Sequence, residues 1–196
     1  MALDQIKRFE RWRRFLRPNS ACLVQLILDE VVPEFRAHGF ERHPDYASGS
    51  KFAVGGNCLP LQRRLGPEWP TVEILFDGRG RPSLGVSFST LPERCRRNTL
   101  DGPVEILRAE ANVGEGAAFF SLCKGTGQNF DGNFGYQYFS LRPKRRIRRE
   151  VDILKSLLPW LFKVFANGIP SAWITGKARY VDKNAFLSPA SNIFRR

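Results

Sequence analysis

Residues 71–90 read TVEILFDGRGRPSLGVSFST, and this stretch decides the fold class. Val72, Ile74 and Phe76 alternate with the other residues of 71–76, and apolar side chains alternate with small ones over 84–90. Such alternation is typical of half-buried strands. Between them lies Asp77-Gly78-Arg79-Gly80-Arg81-Pro82, whose Asp, Gly and Pro residues favour a tight turn. The stretch therefore predicts two antiparallel strands joined as a hairpin.

Outward from this hairpin, the same alternation predicts further strands, and apolar spacing of three to four residues predicts helices. Residues 91–116 look irregular, with a short helix over 104–111. The other predicted strands are 51–54, 59–65, 117–123 and 134–141, with 169–175 a strand or an extended segment. The predicted helices are 4–17, 20–38 with a kink or a fresh turn at Pro33, and 144–166.

This order of elements predicts an α+β fold. We expect an antiparallel sheet of about five to seven strands, over residues 51–141, packed by helices from both ends of the chain. The expected division is an amphipathic helix over 1–19, one domain over 20–176 and a basic tail over 177–196. The expected core is Leu26, Ile27, Val31, Phe35, Phe40, Val72, Ile74, Phe76, Val86, Phe88, Phe119, Val151, Leu154, Leu158 and Phe162.

The formal net charge of the 196-residue chain is +12, with 31 Lys and Arg against 19 Asp and Glu. The excess is concentrated in residues 1–18, 79–97, 142–163 and 164–196, and the stretches between them are mildly acidic. Of the basic residues, 23 are Arg, whose planar guanidinium pairs with phosphate or carboxylate through two hydrogen bonds. The charge therefore favours an anionic partner.

The strongest basic cluster stands at the start of the predicted helix 144–166, where the sequence reads KRRIRR. Positive charge at a helix N-terminus opposes the helix dipole, so this cluster does not serve helix stability. It either binds a partner or pairs with carboxylates elsewhere in the chain. The primary anion-binding candidates are Arg79, Arg81, Arg94, Arg96, Arg97, Arg142, Lys144, Arg145, Arg146, Arg148 and Arg149.

Tyr136 and Tyr138 precede this cluster and are also candidates, because exposed aromatic rings stack on bases in single-strand binders. Their period-two spacing is equally consistent with a core face. Arg8, Arg11 and Arg14, on the predicted first helix, are secondary candidates. That helix either docks on phosphates or a membrane surface, or packs its apolar stripe on its own domain.

Few catalytic or metal-binding patterns are present. The chain has two histidines, His38 and His43, and its four cysteines form no CxxC pair, so neither a zinc site nor a nucleophilic triad is expected. The Gly125-Thr126-Gly127 segment lacks the third glycine and the following helix of a dinucleotide-binding loop. The sequence contains no stretch of 18 apolar residues, so it predicts no membrane span. We expect no cofactor and no metal.

A magnesium-dependent nuclease is the third-ranked function. Such enzymes group carboxylates around Mg²⁺, and Asp45, Glu73 and Asp77 lie in or near the predicted strands. Glu73 is followed two residues later by Leu75, so the Glu-x-Lys pattern is incomplete. We therefore predict that the protein is not an enzyme.

The cysteines are Cys22, Cys58, Cys95 and Cys123. The N-terminus lacks the apolar core of a secretion signal, so a cytoplasmic location with free thiols is expected. Cys22 and Cys123 stand among apolar residues, which predicts that both are buried.

Residues 32–40 read VPEFRAHGF, and this segment resembles the opening of some small, uncharacterised bacterial α+β domains. In those domains a helix ends in Pro and a Gly-Phe pair before an antiparallel sheet begins. The strand at Tyr138-Phe139-Ser140-Leu141 and the Leu157-Leu158-Pro159 helix fit the same outline. Some domains of this type are suspected immunity or accessory components of bacterial conflict systems, so the resemblance implies a binding protein.

The first functional hypothesis is a non-enzymatic protein that binds an anionic partner, with nucleic acid as the first candidate. The alternative is a protein–protein module, immunity-like or accessory, with an acidic protein partner. Whether the basic segments share one face of the molecule distinguishes a binding surface from charge that serves only solubility.

Overall fold

The computed structural model describes residues 5–43, 56–99, 101–108, 111–115, 119–124, 133–136, 140–167, 174–175 and 178–180. Several predictions fall outside these residues or concern side chains that are not described. They are the strand at 51–54, the Gly125-Thr126-Gly127 segment, Asp45, Tyr138, the Phe119 side chain and most of the 177–196 tail.

An antiparallel sheet forms the centre of the fold, in the order β1-β2-β3-β4-β7-β10-β9, with β8 also paired to β4. A separate hairpin joins β5 to β6. The strands are β1 (Glu41–Arg42), β2 (Cys58–Gln62), β3 (Glu68–Phe76), β4 (Ser83–Pro92), β5 (Arg94–Thr99), β6 (Gly102–Leu107), β7 (Phe119–Leu122), β8 (Asn133–Gly135), β9 (Ile174–Thr175) and β10 (Ala178–Tyr180). Six strands of the sheet have three or more residues, and the expected α+β class is confirmed.

The helices are α1 (Gln5–Arg13), α2 (Pro18–Leu26), α3 (Val32–Ala37) and α4 (Pro143–Asn167), with a π-helical turn (Ile27–Val31) between α2 and α3. The predicted helix 4–17 is too long, because α1 ends at Arg13. Pro18 stands in the first turn of α2, where its missing N–H has no intrahelical partner to lose. Pro33 stands in the first turn of a new α-helical segment, α3, which is one of the two outcomes predicted there. Gly39 has the expected positive φ, 78°.

The helices pack on one face of the sheet around a continuous apolar core. Phe88 and Phe120 stack on adjacent strands, and Phe35 and Phe40 both contact Phe162 of α4. Leu26, expected in the core, is only partly buried. The apolar stripe of α1 packs on its own domain, because Phe9 is fully buried against Phe76.

The prediction for 91–116 is wrong, because the β5–β6 hairpin occupies most of this segment. Cys95 and Ile106 face inward and form a small second core with Leu91 and Ala111, partly covered by Trp69. Arg108 stacks on Trp69, with its guanidinium carbon 3.6 Å from the ring centre. Residues 104–107 of the predicted helix 104–111 are therefore an extended strand.

Within the described part of the predicted strand 134–141, β8 covers only Asn133–Gly135, and Tyr136, Ser140 and Leu141 are not in a strand. Gly135 has a φ of 109°, and a Cβ atom there would collide with the carbonyl oxygen of Pro82. Glycine is therefore required for this close approach. The N–H of Tyr136 then donates to the same Pro82 carbonyl at 3.0 Å, which fixes the end of β8 against the β3–β4 turn.

Candidate anion-binding surface

The β3–β4 turn is the point where several basic segments of the chain meet. The Asp77 carboxylate accepts N–H bonds from Arg79 at 2.8 Å and from Arg81 at 3.3 Å, which orders the turn. Arg79 is exposed and Arg81 is half-buried, and neither has an ion pair among the described residues. The turn thus presents two cations at this end of the sheet.

The α1–α2 connection is anchored at this same end by contacts on both of its sides. Before it, Trp12 packs on Phe76, the last residue of β3, with ring centres 5.6 Å apart. After it, the Ser20 hydroxyl donates to the Gly80 carbonyl at 2.6 Å. Because both contacts lie at the β3–β4 turn, the exposed residues Arg14 and Arg17 between them lie there too.

The start of α4 reaches the same place through Tyr136. The Arg146 guanidinium lies over the Tyr136 ring, 5.6 Å from its centre, and the Tyr136 hydroxyl is hydrogen-bonded to Asn19 of α2. On the inner side of α4, Glu150 pairs with Lys124 and accepts the Gly135 N–H at 3.3 Å. These contacts hold the first two turns of α4 against β8 and α2.

Six cations stand at the start of α4, and we call them the α4 cations. Arg148 pairs with Glu30 and with Asp152. The other five are exposed and have no carboxylate partner among the described residues. The α4 cations are Arg142, Lys144, Arg145, Arg146, Arg148 and Arg149.

Seven of the cations elsewhere in the described structure are paired with a carboxylate. The described ion pairs outside the α4 cations involve Arg13, Arg42, Arg94, Arg97, Arg108, Lys124 and Lys155. The unpaired cations around the β3–β4 turn therefore form a distinct surface, which we call the basic end. Its members are Arg14, Arg17, Arg79, Arg81, Arg142, Lys144, Arg145, Arg146 and Arg149.

The structure does not bring Arg94, Arg96 and Arg97 to the basic end. These three belong to β5, which follows the far end of β4, where Pro92 pairs with Glu68. Eight residue steps separate that pair from the one beside the turn, a distance of about 25 Å at strand spacing. Arg94 pairs with Glu105, and Arg97 with Glu115 at 3.2 Å, so two of the three are locally neutralised.

Tyr136 is not available as a platform for base stacking, because its side chain is only 8% exposed and Arg146 covers it. Burial raises the pKa of its phenol above the ordinary value, and the nearby Arg146 charge opposes this rise. The Tyr136 ring therefore packs against the Arg146 guanidinium and helps to hold it in place.

The secondary candidates lie on α1. Arg8 and Arg11 are exposed, and the backbone of Arg8 packs closely on Gly56, next to the strand end that carries Phe76. Arg14 belongs to the basic end itself. Sequence reasoning did not select Arg17, although its position between Arg14 and the helix-starting Pro18 marks it as a connection residue.

The two described carboxylates of the hypothetical magnesium site, Glu73 and Asp77, do not converge. Glu73 is buried within β3, whereas the Asp77 carboxylate is engaged with the backbone of the turn. Four extended residues separate them by about 13 Å, too far for one ion. Within the described part of the chain, no three His, Cys, Asp or Glu side chains are grouped as metal ligands.

The two histidines are placed in the fold at separate sites. His38 stacks on Phe162 with ring centres 3.6 Å apart, and its Nδ1 lies 2.9 Å from the Glu34 carbonyl oxygen. His43 is buried beside β2. All four cysteines are free, as predicted, although Cys22 is partly exposed where burial was expected.

No helix within the described residues combines the length and the apolar character needed to cross a membrane. The comparisons with known proteins return no match for this chain among family models, curated proteins or solved structures.

Proposed function

We propose that this protein is a non-enzymatic binding protein that holds nucleic acid at the basic end. The observation that carries the proposal is the set of five unpaired α4 cations at a helix N-terminus. They repel one another and oppose the helix dipole, and both costs fall when an anion binds between them. The free N–H groups of the first helical turn add hydrogen-bond donors for phosphate.

The arrangement favours a polyanion over a single small anion. Arg142, Arg145 and Arg149 recur at helical spacing over about 10 Å of the α4 axis, so they follow one another along the helix surface. The turn and the α1–α2 connection extend the surface with Arg79 and Arg17. Cations spread over this length match successive phosphates of a nucleic acid backbone.

The test is fluorescence anisotropy with labelled DNA and RNA, single-stranded and duplex, at 50 and 200 mM salt. We expect binding that weakens strongly with salt. Arg145→Ala combined with Arg149→Ala removes two phosphate contacts and weakens binding at moderate salt by about tenfold. Arg64→Ala combined with Arg96→Ala is the matched control, because both residues are exposed cations at the opposite end without a described ion pair.

Equal losses in the two double variants would show that net charge, and not the basic end, determines binding. Negligible affinity of the unaltered protein for all probes at 50 mM salt would overturn the proposal. In that case the acidic protein partner, which the charge also predicts, becomes the leading hypothesis.

A further inference from the structure

Phe15 is an unusual residue in the basic end. Its side chain is 83% exposed, and it is the one aromatic among the large exposed apolar residues of the described structure. It stands between Arg14 and Arg17, within the connection that is anchored to the β3–β4 turn on both sides. An aromatic ring is therefore presented to solvent in the middle of unpaired cations.

The outward position of Phe15 is fixed by its neighbours. Its N–H donates to the Trp12 carbonyl at 3.1 Å, and the N–H of Leu16 donates to the Arg13 carbonyl. Trp12 and Leu16, on the two sides of it, pack against the core. The ring of Phe15 is thus held on a rigid turn, which lowers the entropy cost of using it for binding.

We propose that the nucleic acid at the basic end is single-stranded and that Phe15 stacks on one of its bases, an inference that rests on the proposed function. A single strand offers open base faces, and binders of this class combine cations for the backbone with aromatic rings for the bases. In a duplex the base faces are already stacked on one another, so an exposed Phe ring beside the phosphates gains nothing. Tyr136 is buried, so among the described residues Phe15 is the exposed aromatic ring at the basic end.

An acidic lipid surface fits the same residues less well. Leu141 is also exposed, at 89%, next to Arg142, but these two apolar side chains stand singly among cations. Interfacial helices bind membranes through a continuous apolar face, which the described residues of the basic end do not form. Vesicle binding is therefore included as an outcome of the test.

The experiment compares Phe15→Ala with the unaltered protein on two labelled probes, a 15-nucleotide oligo(dT) and a 15-base-pair duplex. We expect Phe15→Ala to weaken oligo(dT) binding by about tenfold and duplex binding by less than twofold. Phe15→Trp should retain affinity, because its larger ring also stacks. Leu65→Ala is the matched control, since Leu65 is an exposed apolar residue at the opposite end of β3.

Phe15 is exposed, so its variants should unfold at the same temperature as the unaltered protein, which a thermal melt checks. Unchanged oligo(dT) affinity in Phe15→Ala overturns this inference, while the loss in Arg145→Ala with Arg149→Ala would still support nucleic acid binding. Absence of binding to both probes overturns the inference and the proposed function together. Binding to phosphatidylglycerol vesicles that depends on Phe15, without oligo(dT) binding, overturns both in favour of a lipid surface.

Discussion

Glu30 determines how much of the positive charge on α4 is available to a partner. Its carboxylate accepts a hydrogen bond from Lys155 at 3.1 Å and pairs with Arg148. The Lys155 hydrogen bond is the largest of the effects that lower the pKa of Glu30 below its ordinary value, and Arg148 adds to it. One carboxylate on the π-helical turn thus pairs with two basic side chains of α4, Arg148 and Lys155.

Replacing this carboxylate gives a pH-dependent prediction. The pKa of Glu30 is lower in the folded than in the unfolded state, so its stabilisation is present above the ordinary pKa of about 4.5 and is lost as pH falls below it. We expect Glu30→Gln to lower the free energy of unfolding by less than about 1 kcal/mol at pH 7, since the pair is near the surface, and to have a smaller effect at pH 3. Urea unfolding at both pH values measures this.

Glu34→Gln is the control for that experiment. Glu34 is exposed on α3 and has no ion pair in the described structure. A loss of stability in Glu30→Gln that persists unchanged at pH 3 would contradict the assignment to the carboxylate charge.

At the scale of elements, α4 carries a proline in its interior. Pro159 has no N–H group, so it cannot donate the helical hydrogen bond to the carbonyl of Lys155. The helix nevertheless continues to Asn167. The buried stripe that includes Leu154, Leu158 and Leu161 holds the two halves on the sheet. The packing of these side chains therefore keeps the helix continuous, although proline tends to interrupt helices.

Pro159 is exposed, so its replacement loses little packing. We expect Pro159→Ala to raise the free energy of unfolding by about 1–2 kcal/mol, because it restores a helical hydrogen bond and removes a steric clash. Chemical denaturation measures the change, with Lys163→Ala, an exposed position one turn later without a described ion pair, as the control for helix propensity. A loss of stability in Pro159→Ala would mean that the packing of Phe162 needs the proline-bent axis.

The elements that the sequence predicts well are those with a long repeated pattern. The hairpin of β3 and β4 alternates over many residues, and α4 repeats its apolar stripe over 25 residues. The β5–β6 hairpin escaped prediction because its inward side carries only Cys95 and Ile106. Two buried positions among Arg and Glu do not make a recognisable period.

The sequence predicts most of the residues of the candidate site, but it does not predict how they are arranged in space. The local charge excess identified Arg79, Arg81 and the α4 cations. The ion pair between Arg148 and Glu30 joins residues that are 118 positions apart in the sequence. The hydrogen bond from Ser20 to Gly80 joins residues that are 60 positions apart. Such contacts follow from tertiary packing, so no local pattern separates the basic end from Arg94, Arg96 and Arg97.

At the scale of the whole molecule, the fold buries most of the cysteine thiols and leaves one partly exposed. Cys58, Cys95 and Cys123 are buried, and Cys22 on α2 is partly exposed near Tyr136. A folded molecule therefore offers one thiol to solvent, although all four are free.

We expect a thiol reagent such as DTNB to modify one cysteine rapidly in the folded protein and four in guanidinium, because buried thiols react only after the chain opens. Cys22→Ser should remove the fast phase and leave the slow reaction unchanged. Rapid modification of all four thiols under native conditions would contradict the packing of β2, β5 and β7 described above.

Asp101 is exposed in the turn that joins β5 to β6. This hairpin follows one end of the β3–β4 pair, and the basic end lies at the other end of that pair. A chemical handle attached at Asp101 would therefore leave the cations untouched. Molecules fixed to a sensor through that handle would all turn the same side toward the solution. Surface-based measurements would then report a single population of binding sites, free of the mixed orientations that random lysine coupling produces.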